Sequence, residues 1–374
     1  MTKVMVFVGT RPEAIKMAPV VRELAKSKVL SSTLCSTGQH KEMLDQAFED
    51  FGIVPDHKLD VMRPGQSLAG LSSRLFTAVD EVLEEERPDW VVVQGDTTTV
   101  AITSLCAFYR QIKVVHVEAG LRSHQKYSPF PEEVNRRVAG VVADLHMAPT
   151  NEAKANLLAE GVDESCVAVA GNTVIDALLW MRDKVAAQAD MLPDEVLQAK
   201  GQGKKIVLVT GHRRESFGGG FENICKAIMA LAKTRDDIHF VYPVHLNPVV
   251  KEPVQAMLGD LSAVSLIDPM TYKPFVALMN VCHIILTDSG GIQEEGPSLG
   301  KPVLVMRDVT ERPEGVEAGT AKLVGVSIDR IIHEVTELLD NADAYEAMSR
   351  AVNPYGDGQA AKRIVELLEQ EARD

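Results

Sequence analysis

Residues 287–299, T-D-S-G-G-I-Q-E-E-G-P-S-L, pass from the apolar run Ile284-Ile285-Leu286 into a helix-forming segment through a turn of small residues. Ser289, Gly290 and Gly291 leave the backbone N–H groups at the helix start uncovered. An anion there meets several donors and the positive end of the helix dipole together. Glu295, one helical turn beyond Gly291, is placed to accept two hydrogen bonds from vicinal ribose hydroxyls while phosphates sit on the glycines. The combination asks for a nucleoside diphosphate. The same residues also fit an ordinary strand-to-helix turn with a solvated Glu-Glu pair.

Cations and carboxylates elsewhere in the chain could complete such a site. In G-T-R-P-E-A-I-K, Gly9 to Lys16, Pro12 suits a helix start and the pattern is no Walker-type loop. Arg11 offers a planar fork and Lys16 a point charge to a diphosphate; a helix-end salt bridge is the equal alternative. Asp96, Glu118 and Glu132 come from three separate connections, Q-G-D-T-T-T, H-V-E-A-G-L-R and P-F-P-E-E-V-N-R. Crowded or desolvated, such carboxylates can exchange a proton near neutral pH. Against that, Asp96 could cap the helix beginning at Thr97, and Glu132 and Glu133 could sit in a helix's first turn, where negative charge is favoured. His212, in T-G-H-R-R-E-S-F-G-G-G-F, could donate to a phosphate, although a lone histidine is more often an ordinary hydrogen-bonded residue. Arg312, in M-R-D-V-T-E-R-P-E, is one further cation after a strand. No zinc spacing exists: His245 has no histidine at i+4 and no cysteine nearby. No zinc site is expected.

The elements that must position these groups are legible as alternation. Short β-branched runs alternate with amphipathic helix-length segments, the pattern of stacked βαβ units and parallel sheets, so the class is α/β. Strands are predicted near residues 3–9, 32–37, 89–95, 112–118 and 144–149. A second series is predicted near 205–210, 238–242, 263–267, 282–287 and 302–306. This divides the chain into a domain at 1–171 and another at 172–356, two doubly wound Rossmann-like domains facing a central cleft. A terminal helix over 357–374 is expected to join the first. Arg11, Lys16, Asp96, Glu118 and His212 all follow predicted strands, the address at which such folds bind ligands, although any one of them alone fits a solvated loop charge.

With 374 residues the chain exceeds the usual limit of one core, and 45% apolar content suffices for two. The formal charge of −14 disfavours nucleic-acid and anionic-membrane partners. Five scattered cysteines form no C-x-x-C pair and read as reduced, mostly buried thiols. The first apolar run, Val4 to Val8, is too short for a signal peptide or a membrane span, which predicts a cytoplasmic location.

Nine motifs in order, G-T-R-P-E-A-I-K-M-A-P, Q-H-K-E-M-L-D-Q, Q-G-D-T-T-T, H-V-E-A-G-L-R, P-E-E-V-N-R, G-N-T-V-I-D, T-G-H-R-R-E-S-F-G, T-D-S-G-G-I-Q-E-E and N-P-Y-G-D-G, cover nearly the whole chain. Together they resemble the bacterial non-hydrolysing UDP-N-acetylglucosamine 2-epimerase family, the enterobacterial form most of all. The resemblance implies a glycosyltransferase-B-like fold and a homodimer without metal or redox cofactor. The implied enzyme interconverts UDP-N-acetylglucosamine and UDP-N-acetylmannosamine for surface-polysaccharide synthesis. It implies Arg11, Lys16, Asp96, Glu118, His212, Ser289, Gly290, Gly291, Glu295 and Arg312 around the UDP-sugar, with Phe275 and the backbone near Met270 at the uracil. Asp96, Glu118 and Glu132 match the carboxylates implicated in catalysis, with His212 beside the departing phosphate. Gln39, His40 and His245 match residues that hold a second, activating UDP-N-acetylglucosamine in some members. Here the pattern departs at Gly65, an arginine in certain members, and at Glu42, which replaces a glutamine.

The C2 hydrogen of an acetamido sugar is not acidic, so something must make it labile. Loss of UDP from C1 with removal of the C2 proton gives 2-acetamidoglucal, and readdition with a proton on the other face gives the epimer. Two other readings share the UDP-binding residues: a glycosyltransferase of the same architecture and a non-catalytic UDP-sugar sensor.

Overall fold

The computed structural model describes residues 1–38, 41–186, 188, 191–211 and 219–373. The chain forms two compact units, the first built from Met1–Ala177 and Tyr355–Asp374 and the second from Leu178–Pro354. Each contains one parallel sheet with helices on its faces.

The first sheet comprises β1 (Thr2–Val8), β2 (Leu30–Ser36), β3 (His57–Lys58), β4 (Trp90–Gln94), β5 (Lys113–Val117), β6 (Leu145–Ala148) and β7 (Val167–Val169), in the order β3-β2-β1-β4-β5-β6-β7. Every described pairing is parallel; β1 meets β4 with Val6 opposite Val92. Val4 to Val8 and Val91 to Val93 are fully or almost fully buried. These continuous apolar runs are what a strand covered by helices on both faces requires. The order reverses between β1 and β4. Such a switch point opens a crevice at the carboxyl ends of the strands, because the helices leaving the two strands go to opposite faces.

The second sheet comprises β8 (Lys205–Thr210), β9 (Ile238–Pro243), β10 (Val264–Ile267), β11 (Ile284–Thr287), β12 (Val303–Val305) and β13 (Ala321–Leu323), ordered β10-β9-β8-β11-β12-β13. Its switch point lies between β8 and β11, where Ile284 pairs with Val207 and Thr287 with Thr210. Phe221, Ile224 and Ile228 from the helix Gly219–Thr234 and Ile331 and Val335 from the helix Ile328–Asp340 share one core with Val207 and Val209.

All ten predicted strands occur within two residues of their expected bounds. The three missed strands, β3, β7 and β13, are two or three residues long and lie at or near sheet edges. They bury too little to leave an apolar run. The terminal helix Ala360–Glu371 packs within the first unit. Asp176 accepts from Ala361 N at 2.9 Å and Ala360 N at 3.2 Å, which caps that helix. Ser27 Oγ donates to Glu369 at 2.5 Å. Among the described residues no helix is long and apolar enough to cross a membrane. Cys35, Cys106, Cys225 and Cys282 are buried free thiols, and Cys166 is half-buried.

Candidate active site

In the first unit the candidate side chains lie on the loops leaving β1, β4 and β5 and on the helices that follow them. The turn after β1 is closed by Glu13, which accepts from Gly9 N at 2.8 Å, Thr10 N at 2.6 Å and Thr10 Oγ1 at 2.9 Å. Its other oxygen accepts from Thr97 Oγ1 at 2.7 Å, tying the loop after β1 to the loop after β4. Burial raises the Glu13 carboxyl while these four donors oppose the shift. A side chain at Gly9 would meet Thr99 Oγ1 at 2.3 Å, so the approach of the two loops requires glycine there. Arg11 follows at the helix start, half-buried, and among the described residues it forms no hydrogen bond or ion pair.

Glu118 directly follows β5 with φ of +61°, a left-handed conformation that costs a non-glycine residue about 1–2 kcal/mol. Its surroundings over-determine it. Lys16 Nζ lies 2.7 Å from both carboxylate oxygens, Gln94 Nε2 donates to Oε2, and Asn172 Nδ2 donates to Oε1 at 3.3 Å. Only 7% of the residue is exposed. The Lys16 of the anion-binding reading is thus also the counter-charge of a catalytic candidate.

Asp96 is not a helix cap. That role belongs to Thr97, whose hydroxyl accepts from Val100 N at 3.3 Å. Asp96 Oδ2 instead accepts from Arg136 Nε at 2.9 Å and faces Nη2 at 2.7 Å, while Asn135 Nδ2 donates to the Asp96 carbonyl at 2.9 Å. Beneath this loop the His116 ring bonds the Gly95 carbonyl through Nε2 at 2.7 Å. Burial pushes His116 down to about 4, so at neutral pH the ring is uncharged and Nε2–H is the donor.

Glu132 and Glu133 do begin a helix, Glu132–Val142, but they differ in kind. Glu133 is buried, accepting from Ser123 N at 2.9 Å and Arg136 Nη1 at 3.0 Å. Although burial acts to raise its carboxyl, the Ser123 and Arg136 donors outweigh that and hold it below the ordinary range. Glu132 is half-buried, and among the described residues it has no hydrogen-bond or ion-pair partner. Sequence reasoning missed Glu13, Glu133, Arg136 and His116 as the side chains that hold the candidates. Their only sequence signal is that each lies inside one of the quoted motifs.

In the second unit Ser289 is the N-cap of the helix Gly290–Ser298, and its side chain makes no cap hydrogen bond. The hydroxyl ladder Thr210 Oγ1 to Thr287 Oγ1, 2.6 Å, and Ser289 N to Thr287 Oγ1, 3.0 Å, sets the turn. Glu294 and Glu295 are both buried, which excludes the solvated pair. Arg312 Nε donates to Glu294, and Tyr272 Oη donates to Glu295 Oε1 at 3.4 Å. A side chain at Gly291 would come within 3.8 Å of Glu295 Oε2, so this carboxylate stands beside the uncapped helix start. Arg312 is linked back to the turn: its N–H bonds Thr310 Oγ1 at 3.1 Å, that hydroxyl bonds Gln293 Oε1 at 2.6 Å, and Gln293 Nε2 bonds the Ser289 carbonyl at 3.1 Å. Met270 and Phe275 are half-buried, just before and within the helix Tyr272–Val281 that also carries Tyr272.

His245 is exposed in a turn after β9, where its Nδ1 accepts from Asn247 N at 3.1 Å. Gln39, His40 and His212 lie outside the described residues. Among the described residues no cluster of histidine, cysteine or carboxylate side chains is arranged to hold a metal.

Two Rossmann-like units, one with carboxylates after its central strands and one with an uncapped glycine turn beside a carboxylate, give the chain the glycosyltransferase-B-like fold. Comparison narrows this. The model of the UDP-N-acetylglucosamine 2-epimerase family matches residues 22–369. A UDP-N-acetylglucosamine 2-epimerase from Escherichia coli K12 is 56% identical over 369 residues, 98% of each chain. The crystal structure of a UDP-GlcNAc 2-epimerase from Neisseria meningitidis bound to UDP-GlcNAc is 49% identical with a TM-score of 0.86, covering 99% of this chain and 100% of that one. A third, from Methanocaldococcus jannaschii, is 32% identical with a TM-score of 0.86 over 99% and 100% of the two chains. The chain belongs to the UDP-N-acetylglucosamine 2-epimerase family, and is an isomerase rather than a glycosyltransferase or a sensor.

Proposed function

We propose that this protein interconverts UDP-N-acetylglucosamine and UDP-N-acetylmannosamine by elimination and readdition of UDP. The C1–O bond to the diphosphate breaks, the C2 proton passes to a carboxylate, and the electron pair of the C2–H bond becomes the C1=C2 bond of 2-acetamidoglucal. Reversal with a proton delivered to the opposite face of C2 restores the C1–O bond and inverts C2.

The observation that carries the reading is the contrast among the three carboxylates. Asp96 is held by Arg136, Glu118 by Lys16, and Glu132 has no partner among the described residues. Inversion needs proton-handling groups on both faces of one carbon, and carboxylates carried by three separate connections can supply more than one such group. The uncapped turn at Ser289 to Gly291 and the cations Arg11 and Arg312 suit the departing UDP, for which helix N–H donors and fixed charges need no reorganisation. Glu295 suits the ribose, and Phe275 with the backbone near Met270 the uracil. His212 is assigned to the leaving phosphate, and Gln39, His40 and His245 to an activating second substrate molecule.

The proposal includes a homodimer in the cytoplasm supplying surface-polysaccharide synthesis. Phe108 and Tyr109 on the helix Thr98–Tyr109, and Val141 on Glu132–Val142, are 56%, 66% and 84% exposed. These two helices pack side by side, so their exposed apolar residues favour a helical face for the dimer. Incubation with UDP-N-acetylglucosamine alone tests the activity. An anomeric proton NMR signal of UDP-N-acetylmannosamine is expected without any acceptor; an unchanged spectrum at high enzyme concentration contradicts it.

A further inference from the structure

At the end of the second sheet opposite the glycine turn lies a cavity of about 350 Å³ that plays no part in the reaction described above. Lys200, Lys204, Lys205 and Lys301 line it, with His283, Tyr345 and Cys282. The topology explains the cluster. Lys205 starts β8, His283 immediately precedes β11, and Lys301 precedes β12, three strands that are neighbours in the sheet. Adjacent strands lie roughly 5 Å apart, so their amino ends bring these side chains together. Lys200 comes from the last turn of the helix Asp194–Gly201. With four to six residues per strand at about 3.3 Å each, the cavity stands roughly 13–20 Å from the turn at Ser289.

Four like charges in a chain of net charge −14 call for compensation. No carboxylate lines the cavity, and among the described residues none of the four lysines forms an ion pair. Lys205 Nζ donates to the Leu339 carbonyl at 2.8 Å, a neutral acceptor. Burial holds the Lys301 ammonium below the ordinary lysine range, and the Lys200 charge adds to the effect. Asp237 and Asp340 feel the Lys205 charge without pairing with it, and their oxygens accept from Arg235 at 2.7 to 2.9 Å. His283 is pushed down to about 4 by burial and by Lys205 and Lys301, so its ring is neutral. It stacks on Tyr345 with centroids 4.2 Å apart and planes 7° from parallel, forming a flat wall beside the cations.

We propose that this cavity is a second anion site, for a small phosphate-bearing molecule whose oxygens take the ammoniums of Lys200, Lys204, Lys205 and Lys301. Lysine binds phosphate as a rotatable point charge, whereas a planar carboxylate is matched best by an arginine fork, and no arginine lines the cavity. The volume lies at the lower end of the small-ligand range and leaves room beyond one phosphate, as a diphosphate or a mononucleotide needs. A nucleic acid would need a basic stripe, which a net charge of −14 disfavours.

Calorimetric titration of the whole enzyme with inorganic pyrophosphate, in the presence of saturating UDP, tests the site. Wild-type enzyme is expected to bind, and K200E/K204E to bind at least tenfold more weakly with unchanged epimerisation and an unchanged circular dichroism spectrum. Lys301→Gln is expected to weaken binding in the same direction. UMP and UTP titrations separate the sources. Tighter binding than pyrophosphate, reduced by Tyr345→Ala, identifies a nucleotide, while equal or weaker binding identifies an inorganic phosphate. Pyrophosphate binding that is absent from the wild type, or that K200E/K204E and Lys301→Gln both leave unaltered, overturns the proposal.

Discussion

Lys16 and Glu118 come from different strand-end loops and meet as a pair whose Glu118 side chain is 5% exposed and whose Lys16 side chain is 21% exposed. Breaking a buried pair from one side leaves an uncompensated charge and costs about 3–5 kcal/mol. With a fifth of the lysine in water, about 2–4 kcal/mol is the better expectation for Lys16→Met, and a similar loss for Glu118→Gln. The double variant leaves neither charge alone. Gln94 and Asn172 still reach the residue at 118, so the two losses are expected to fall short of adding by about 2 kcal/mol. Because the protein has two units, unfolding of the first must be read by itself. Trp90 lies in β4 and Trp180 in the second unit, so urea denaturation followed by fluorescence in a Trp180→Phe background reports Trp90 alone. Additive single effects, or a coupling of about 0.5 kcal/mol or less as surface pairs give, would refute the claim that this pair is a buried, mutually dependent unit.

Asp96→Asn or Glu132→Gln is expected to lower turnover at least a hundredfold while changing UDP affinity less than threefold, and Arg312→Ala to weaken both; parallel kinetic and calorimetric measurements decide. Asp176 is raised from its ordinary value to about 6, chiefly by burial. A carboxyl raised on folding stabilises below its unfolded value near 4, and that contribution is lost as pH climbs through the folded value near 6. The stability of Asp176→Asn relative to wild type is therefore expected to rise between pH 4 and pH 7, by up to about 3 kcal/mol; a flat difference in urea midpoints contradicts this. Val141→Glu is expected to halve the mass seen in sedimentation if the helical face seats the dimer, and an unaltered dimer moves the interface elsewhere.

The strands were readable in sequence wherever both faces are buried, because Val4 to Val8 or Ile284 to Leu286 allow no other period. The edge strands His57–Lys58 and Val167–Val169 were not, being too short and too exposed to carry a pattern. Arg11, Lys16, Asp96, Glu118, His212 and the turn at Ser289 to Gly291 followed from strand ends and glycine spacing, whereas Met270, Phe275, Gln39, His40 and His245 came only from the family resemblance. What holds them followed from neither. Arg136 reaching Asp96 across forty positions, or Tyr272 reaching Glu295, is set by which loops the sheet order brings together. The Glu132-Glu133 pair looks uniform as a string and splits into a half-buried carboxylate and a buried one, held through Oε2 by Ser123 and Arg136, only when the helix is placed. Glu118 gave no hint of its left-handed backbone, since nothing in Val-Glu-Ala marks it.

Proton exchange at one carbon is the step on which the account turns. Reaction of UDP-N-acetylglucosamine in heavy water, stopped at several times and analysed by NMR and mass, should give UDP-N-acetylmannosamine carrying one deuterium at C2 from the first turnovers, with deuterium entering the substrate pool as equilibrium is approached. Epimer formed with its original C2 hydrogen retained would contradict removal of that proton to a carboxylate, and with it the roles given to Asp96, Glu118 and Glu132.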